Sequence, residues 1–364
     1  TGIVDGPEHA PRINRQAARQ HVVQRRRQDV EQWLHQSNGQ RGKFPERDQD
    51  EITVIPTAQE LEIIDEVKRY GELILENARG AQAQIQTLAG WTVLHLHKRA
   101  LSSPEALRCS LRNRQAALEK RLAGLTEVDA GLPSEIARAN VLDEEVGEQF
   151  DETEVGDRSE KVVPGDPGAL RAELQALEHL EALTAKVKPA NDSKLQNLLR
   201  NTLRGMLARR HKVIIFTRYR DTLEYVAKQI DNSNLYSHVK VITLHGQMNE
   251  AQRQEAFEKF DQAKDAVLIA TDAISEGVNL QYLASQIIHY ELPWNPNRLE
   301  QRNGRVDRFG QPEPTVVIRT LVVDDTLDAA ILKVLIEKAR RIRTEYGFAP
   351  PFFGDENNIL DFIQ

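Results

Sequence analysis

The sequence predicts an α/β protein, with a parallel sheet covered by helices on both faces in its second half and a mainly helical region before it. Three observations predict this. From about residue 210, short apolar runs alternate with segments of helical spacing. Those runs are continuously apolar, as strands buried on both faces should be, rather than alternating as in a sheet with one wet face. Between residues 60 and about 125, apolar residues recur at the spacing of amphipathic helices.

Taken in order, residues 1–50 are polar and rich in Arg and Gln. Within them Arg25, Arg26 and Arg27 lie in a short helix or strand edge, where a solvated face explains them as well as a function does. Residues 52–55 (Ile-Thr-Val-Ile) predict a short strand stopped by Pro56. Thr57 and Glu60, just ahead of Leu61, Ile63, Ile64 and Val67, form a capping box that opens an amphipathic helix. Helical spacing continues through Leu73, Ile74, Ile85, Leu88, Leu94, Leu96 and Leu101, is reset by Ser102, Ser103 and Pro104, and resumes from Glu105 through Leu118. The stretch 141–160 holds nine carboxylates against one arginine, Arg158, and reads as a solvated acidic linker. Turn signals at 164–168 precede a helix over 169–183. Strands are expected at 213–216, 241–244, 267–270, 286–290 and 315–319. Helices separate them, at 250–260 and 297–308 among others, and a last helix covers 326–344.

Bulk properties exclude several classes. The formal charge of -7 over 364 residues gives no global basic field, although a local basic groove is enough to bind a polyanion. A single cysteine, Cys109, excludes a disulfide scaffold and any cysteine-built zinc or iron–sulfur site, and fits a reducing, cytoplasmic setting. No run of eighteen apolar residues predicts a membrane span. The opening Thr1-Gly2-Ile3, without an initiator Met, predicts a segment that begins inside a longer polypeptide.

The chemistry concentrates at strand ends. In Gln301-Arg302-Asn303-Gly304-Arg305-Val306-Asp307-Arg308, a helix would place Gln301, Arg305 and Arg308 on one face. Two guanidinium groups there suit a phosphate, and Gly304 permits a close approach. A solvated basic helix paired to Glu300 and Asp307 accounts for the composition equally well. After the strand at 267–270, the residues Thr271, Asp272, Ser275, Glu276, Gly277 and Asn279 lie where α/β proteins place ligands, and they are too polar to be core. The alternative is a strand–helix turn with Asp272 as a cap. Phe216-Thr217-Arg218-Tyr219 and His245-Gly246-Gln247 are two further polar strand ends. No His, Asp or Cys stands at metal-ligand spacing, so no metal is assigned.

These motifs, in this order, resemble those of superfamily 2 helicases and translocases. Residues 213–217, His245-Gly246, Ala270-Thr271-Asp272 with residues 276–280, and residues 301–308 are similar to motif IV, the element after it, V and VI. Arg308-Phe309-Gly310-Gln311, the 191–195 stretch and the Arg25–Arg27 segment resemble the Swi2/Snf2 branch. His97 to Pro104 resembles a piece of its bacterial, polymerase-recycling type, and related motors also occur in phage defence.

The resemblance implies a second RecA-like lobe over 169–345 with a C-terminal extension at 346–364. It also implies an interlobe connection over 1–56, a helical protrusion or brace over 57–140 and an acidic linker over 141–168. Arg305 and Arg308 would be arginine fingers and Gln301 would position the site. Gly277, Glu276 and Asp307 would serve the nucleotide. Thr217, Arg218, His245, Gly246, Thr271 and Asn279 would meet nucleic acid, with duplex DNA favoured. The chain has no Gly-x-x-x-x-Gly-Lys-Ser/Thr loop and no Asp-Glu box to hold Mg²⁺. The resemblance therefore implies that ATP and Mg²⁺ are held mainly by a first RecA-like lobe of the same polypeptide, and it leaves room for protein partners in a larger complex. A degenerate lobe acting only as a binding scaffold is the competing expectation.

Overall fold

The structure, a computed structural model, describes residues 4–5, 12–13, 44–124, 164–272, 280–294, 296–326 and 329–330. Most of the acidic linker, the Arg25–Arg27 segment, the greater part of the last helix and the C-terminal extension lie outside the described residues.

Six strands form one parallel sheet. They are β1 (Glu46–Val54), β2 (Lys212–Phe216), β3 (Lys240–Leu244), β4 (Ala266–Ala270), β5 (Gln286–His289) and β6 (Thr315–Val323). Their spatial order is β1-β6-β5-β2-β4-β3, and every neighbouring pair is parallel. Period-two alternation divides the apolar strand residues between two cores. Val213, Ile215, Val267, Ile269 and Ile288 face one, and Ile214, Phe216, Leu268, Ala270 and Ile287 face the other. The first core is closed by α5 (Ser193–Asn197), a π-helical turn at Leu198–Thr202, α6 (Leu203–Arg209) and α7 (Arg220–Asp231). The second is closed by α8 (Glu250–Gln262), Leu280 and Val306. This is the RecA-like arrangement, a parallel sheet with helices on both faces.

The strands expected from residue 213 onward are all present, and β6 runs four residues beyond Arg319. The strand expected at 52–55 is instead the nine-residue β1, paired along its whole length with β6. Its first six residues, Glu-Arg-Asp-Gln-Asp-Glu, carry no apolar signal because β1 is a sheet edge whose side chains largely face water. Charged residues on an edge strand also discourage pairing with a second chain.

Before the sheet's inner strands come α1 (Ala58–Asn77), α2 (Ala83–Ser102) and α3 (Pro104–Leu122), and after the linker α4 (Pro167–Thr184). The capping box at α1 is complete. Thr57 N–H donates to Glu60 Oε2 at 2.6 Å, and Glu60 N–H donates to the Thr57 hydroxyl. Ser103 caps α3, with Pro104 in its first turn where the missing N–H is harmless. The four helices share their own core, from Ile63, Val67 and Ile74 to Leu111, Leu177 and Leu180. This helical region is seated on the sheet domain. Lys194 Nζ donates to Leu101 O at 2.7 Å, Ser193 N–H to Glu60 Oε1 at 2.8 Å, and the Ser102 and Thr222 hydroxyls lie 2.6 Å apart.

Candidate functional site

The strand order sets the ends of β5, β2, β4 and β3 side by side. Tyr290 N–H donates to Phe216 O at 2.8 Å, Thr217 N–H to Ala270 O at 3.0 Å, and Thr271 N–H to Leu244 O at 3.0 Å. Four polar strand ends far apart in sequence, at residues 217, 245, 271 and 290, thus line one carboxyl edge, the usual ligand edge of such sheets. Thr217 and Thr271 are themselves buried. The Thr217 hydroxyl donates to Glu291 at 2.8 Å, and the same carboxylate accepts from Arg218 N–H at 3.1 Å and from the Ser102 hydroxyl. Thr217 therefore fixes the edge, while Arg218, His245 and Gly246 stand at partly buried positions on it.

The helical region builds one wall here. Lys98 Nζ lies 4.1 Å from the Trp294 ring centroid, and the Arg99 guanidinium pairs with Asp221 and sits 4.6 Å from the Tyr219 ring. Lys98, Arg218, Tyr219, Glu291, Trp294 and Arg302 line a single recess. Burial, with Arg298 and Arg302 nearby, pushes the Arg218 guanidinium below its usual range, while Tyr219 and Asp272 act the other way. The recess is thus rich in positive charge, opposed by a few fixed carboxylates.

One helix ties this edge to the arginine motif. In α9 (Pro296–Asn303), Arg302 grips Asp272 through Nε at 2.5 Å and Nη2 at 2.8 Å, and Arg298 stands 3.8 Å from the same carboxylate. Burial alone would raise the Asp272 carboxyl, but Arg302 and then Arg298 bring it down to about 2. His289 is fully buried, its ring 6.0 Å from that of Phe216. Burial, reinforced by Arg302, pushes it down to about 3, so it is neutral at physiological pH. Its Nε2–H, assigned from the partner, donates to Asn303 Oδ1 at 2.9 Å.

These shifts predict an acid-sensitive fold. An unfolded histidine takes up its proton near pH 6.5, whereas His289 resists until about pH 3, so stability is lost as pH falls through that window. Asp272 adds a further loss as pH falls from 3.8 through about 2, because its ion pair is complete only above the unfolded value. Asp192, raised to about 6 by burial, opposes the trend between pH 6 and 3.8. Urea denaturation at pH 7.5 and 5.5 is expected to show lower stability at the acid value, and His289→Asn is expected to reduce that difference.

The arginine motif does not form a continuous helix. α9 ends at Asn303, and Gly304 N–H donates to Glu300 O at 2.8 Å, Asp307 N–H to Asn303 O at 2.8 Å and Gln311 N–H to Arg308 O at 3.1 Å. Arg305 and Arg308 consequently sit in successive turns, and the expected shared helix face with Gln301 is not formed. The helix stops because Asn303 is drawn to His289 and Asp307 to the Arg47 guanidinium. Gly304 answers to its own helix, since a Cβ there would stand 3.1 Å from Glu300 O. Gly310 has φ +86°, a backbone region that side chains other than glycine's resist. The buried Gln311 side chain donates to Ala284 O and Val306 O and fastens the far end of the turn. Gln301 and Arg308 are exposed and Arg305 is half-buried, whereas Asp307 is buried against Arg47. Glu276, Gly277 and Asn279 lie outside the described residues.

Glu291, Arg302 and Lys98 were not singled out in the sequence. An acid directly after the apolar strand at 286–290 was the available signal for Glu291. Arg302 was hidden by the helical-face reading, which skipped it between Gln301 and Arg305.

A RecA-like sheet thus carries a polar carboxyl edge and an arginine-bearing turn after α9, on a fold that resembles SWI2/SNF2 ATPase domains. Residues 193–310 match the family described as the helicase conserved C-terminal domain. Over 127 residues the chain is 41% identical to the uncharacterized ATP-dependent helicase YqhH of Bacillus subtilis, covering 35% of this chain and 22% of that protein. Over 130 residues it is 31% identical to the RNA polymerase-associated protein RapA of Sodalis glossinidius, covering 34% of this chain and 13% of that protein. The chain therefore matches less than a quarter of the length of either relative. The SWI2/SNF2 ATPase core domain of Sulfolobus solfataricus shares the fold, with a TM-score of 0.51 over 86% of this chain and 46% of that one at 15% identity.

Proposed function

We propose that the chain is the C-terminal motor lobe of an ATP-dependent translocase acting on duplex DNA, and that it is inactive without a first RecA-like lobe. The observation that carries this reading is the turn holding Arg305 and Arg308, fastened at both ends, in which Arg308 is exposed and Arg305 half-buried. Such groups suit a γ-phosphate arriving from a facing lobe. To a nucleotide site the described residues offer arginines that can meet phosphate oxygens. ATP, when bound on the other lobe, supplies the phosphoryl group. Arg305 and Arg308 then stabilise charge spreading onto its oxygens, and Gln301 orients the site.

On the carboxyl edge, Arg218 with His245 and Gly246 contacts the DNA backbone, while Thr217 and Glu291 hold the Arg218 main chain in place. Backbone contacts of this kind carry no sequence information and are salt-dependent. Arg218→Ala in the full-length protein is expected to weaken duplex binding alike on all sequences and to lower the salt-dependence slope by about one. Unchanged affinity and slope would remove Arg218 from the interface. A scaffold lobe is the outcome if duplex DNA binds but does not stimulate ATP hydrolysis.

A further inference from the structure

The turn that carries the two arginines is clamped by a strand remote from it in sequence. Arg47, on edge strand β1, donates from Nη1 and Nη2 to the two oxygens of Glu300 at 2.9 and 2.8 Å, and from Nε to Asp307. One planar guanidinium thus bridges the last turn of α9 and Asp307, the residue just before Arg308. A lysine could not reproduce that fork. Two further contacts flank it. Phe44 meets Phe309 edge-on at 5.6 Å, and Glu46 N–H donates to Pro314 O at 2.8 Å. The Asp307 side chain is 2% exposed and that of Glu300 57%, so the clamp runs from the interior of the turn to its surface. Burial works against the charge on Arg47, but Glu300 and Asp307 more than offset it and raise its pKa.

We infer that Arg47 is a positioning residue for phosphoryl transfer: by joining Glu300 to Asp307 it fixes the turn that aims Arg305 and Arg308. This rests on the motor-lobe reading above. It adds that β1, within the stretch expected to connect the lobes, sets the geometry of the finger turn. A misaimed finger weakens an interaction made chiefly in the transition state, so it lowers turnover more than substrate binding.

The test is steady-state ATP hydrolysis by the full-length protein with saturating duplex DNA, comparing wild type, Arg47→Met, Arg47→Lys, Glu300→Gln and Arg305→Ala. Arg47→Met is expected to lower kcat by about 10- to 100-fold, the scale of a small misplacement, with KM for ATP little changed. Arg47→Lys should recover part of that loss, and Glu300→Gln should show a smaller loss of the same kind. Adding Asp307→Asn to Arg47→Met should cost little more, because both act through one clamp. Circular dichroism checks folding, and if Arg47→Met does not fold, the surface change Glu300→Gln decides. Wild-type kcat in Arg47→Met, or in Glu300→Gln where that variant decides, overturns the inference, as does a loss confined to KM. If Arg305→Ala also turns over like wild type, the motor-lobe reading itself has failed.

Discussion

Arg305→Ala is expected to lower kcat for ATP hydrolysis by the full-length protein by about 10³- to 10⁵-fold, the range over which arginine fingers act. The turn holding Arg305 is anchored through Asp307 to Arg47 and through Gln311 to Ala284 and Val306. Arg305 itself is half-buried, so thermal melting of the variant beside wild type separates a folding defect from a loss of turnover. Affinity for ATP should change far less than turnover, since the finger acts where charge develops in the transition state. Arg305→Lys should restore little, because a point charge cannot meet two phosphoryl oxygens with a planar fork. Single-turnover hydrolysis beside equilibrium nucleotide binding separates these effects.

Glu173→Ala is expected to destabilise the helical region by about 3–5 kcal/mol, because it leaves a buried guanidinium without its counter-charge. Arg114 and Glu173 have side chains only 3% and 0% exposed. Arg114 Nε donates to Glu173 Oε1 and to the Tyr70 hydroxyl, each at 2.7 Å, and that hydroxyl donates to Glu173 at 2.9 Å. Asn77 Nδ2 reaches the other carboxylate oxygen at 3.3 Å. The network joins α1, α3 and α4, so its loss is shared by three helices. Glu173→Gln should cost less, since its amide oxygen still accepts from Tyr70. Replacing Arg114 and Glu173 together by Met should recover much of the loss, as buried ion pairs often tolerate apolar substitution. Urea denaturation followed by helical circular dichroism reads all three.

The inner strands of the sheet were legible because burial on both faces leaves an unbroken apolar run, as in Val213-Ile214-Ile215-Phe216. The start of α1 was legible because a capping box is local chemistry, complete within Thr57 to Glu60. β1 was not, since a polar edge strand is held by backbone pairing to β6 and its sequence resembles a loop. The polar strand ends were found singly. Their convergence on one edge depends on the order β5-β2-β4-β3, which no local pattern encodes. The end of α9 was misjudged for a similar reason. Arg47 and His289 hold the motif from outside it, and Arg47 is 260 residues from Asp307.

The central claim is that this lobe supplies arginines to a nucleotide site it does not itself hold. Its most direct test is ATP hydrolysis by the purified 364-residue chain alone, with and without duplex DNA. No hydrolysis above background is expected under either condition. Hydrolysis by the isolated chain that disappears with Arg305→Ala would contradict it, since the fingers would then serve a site within these residues.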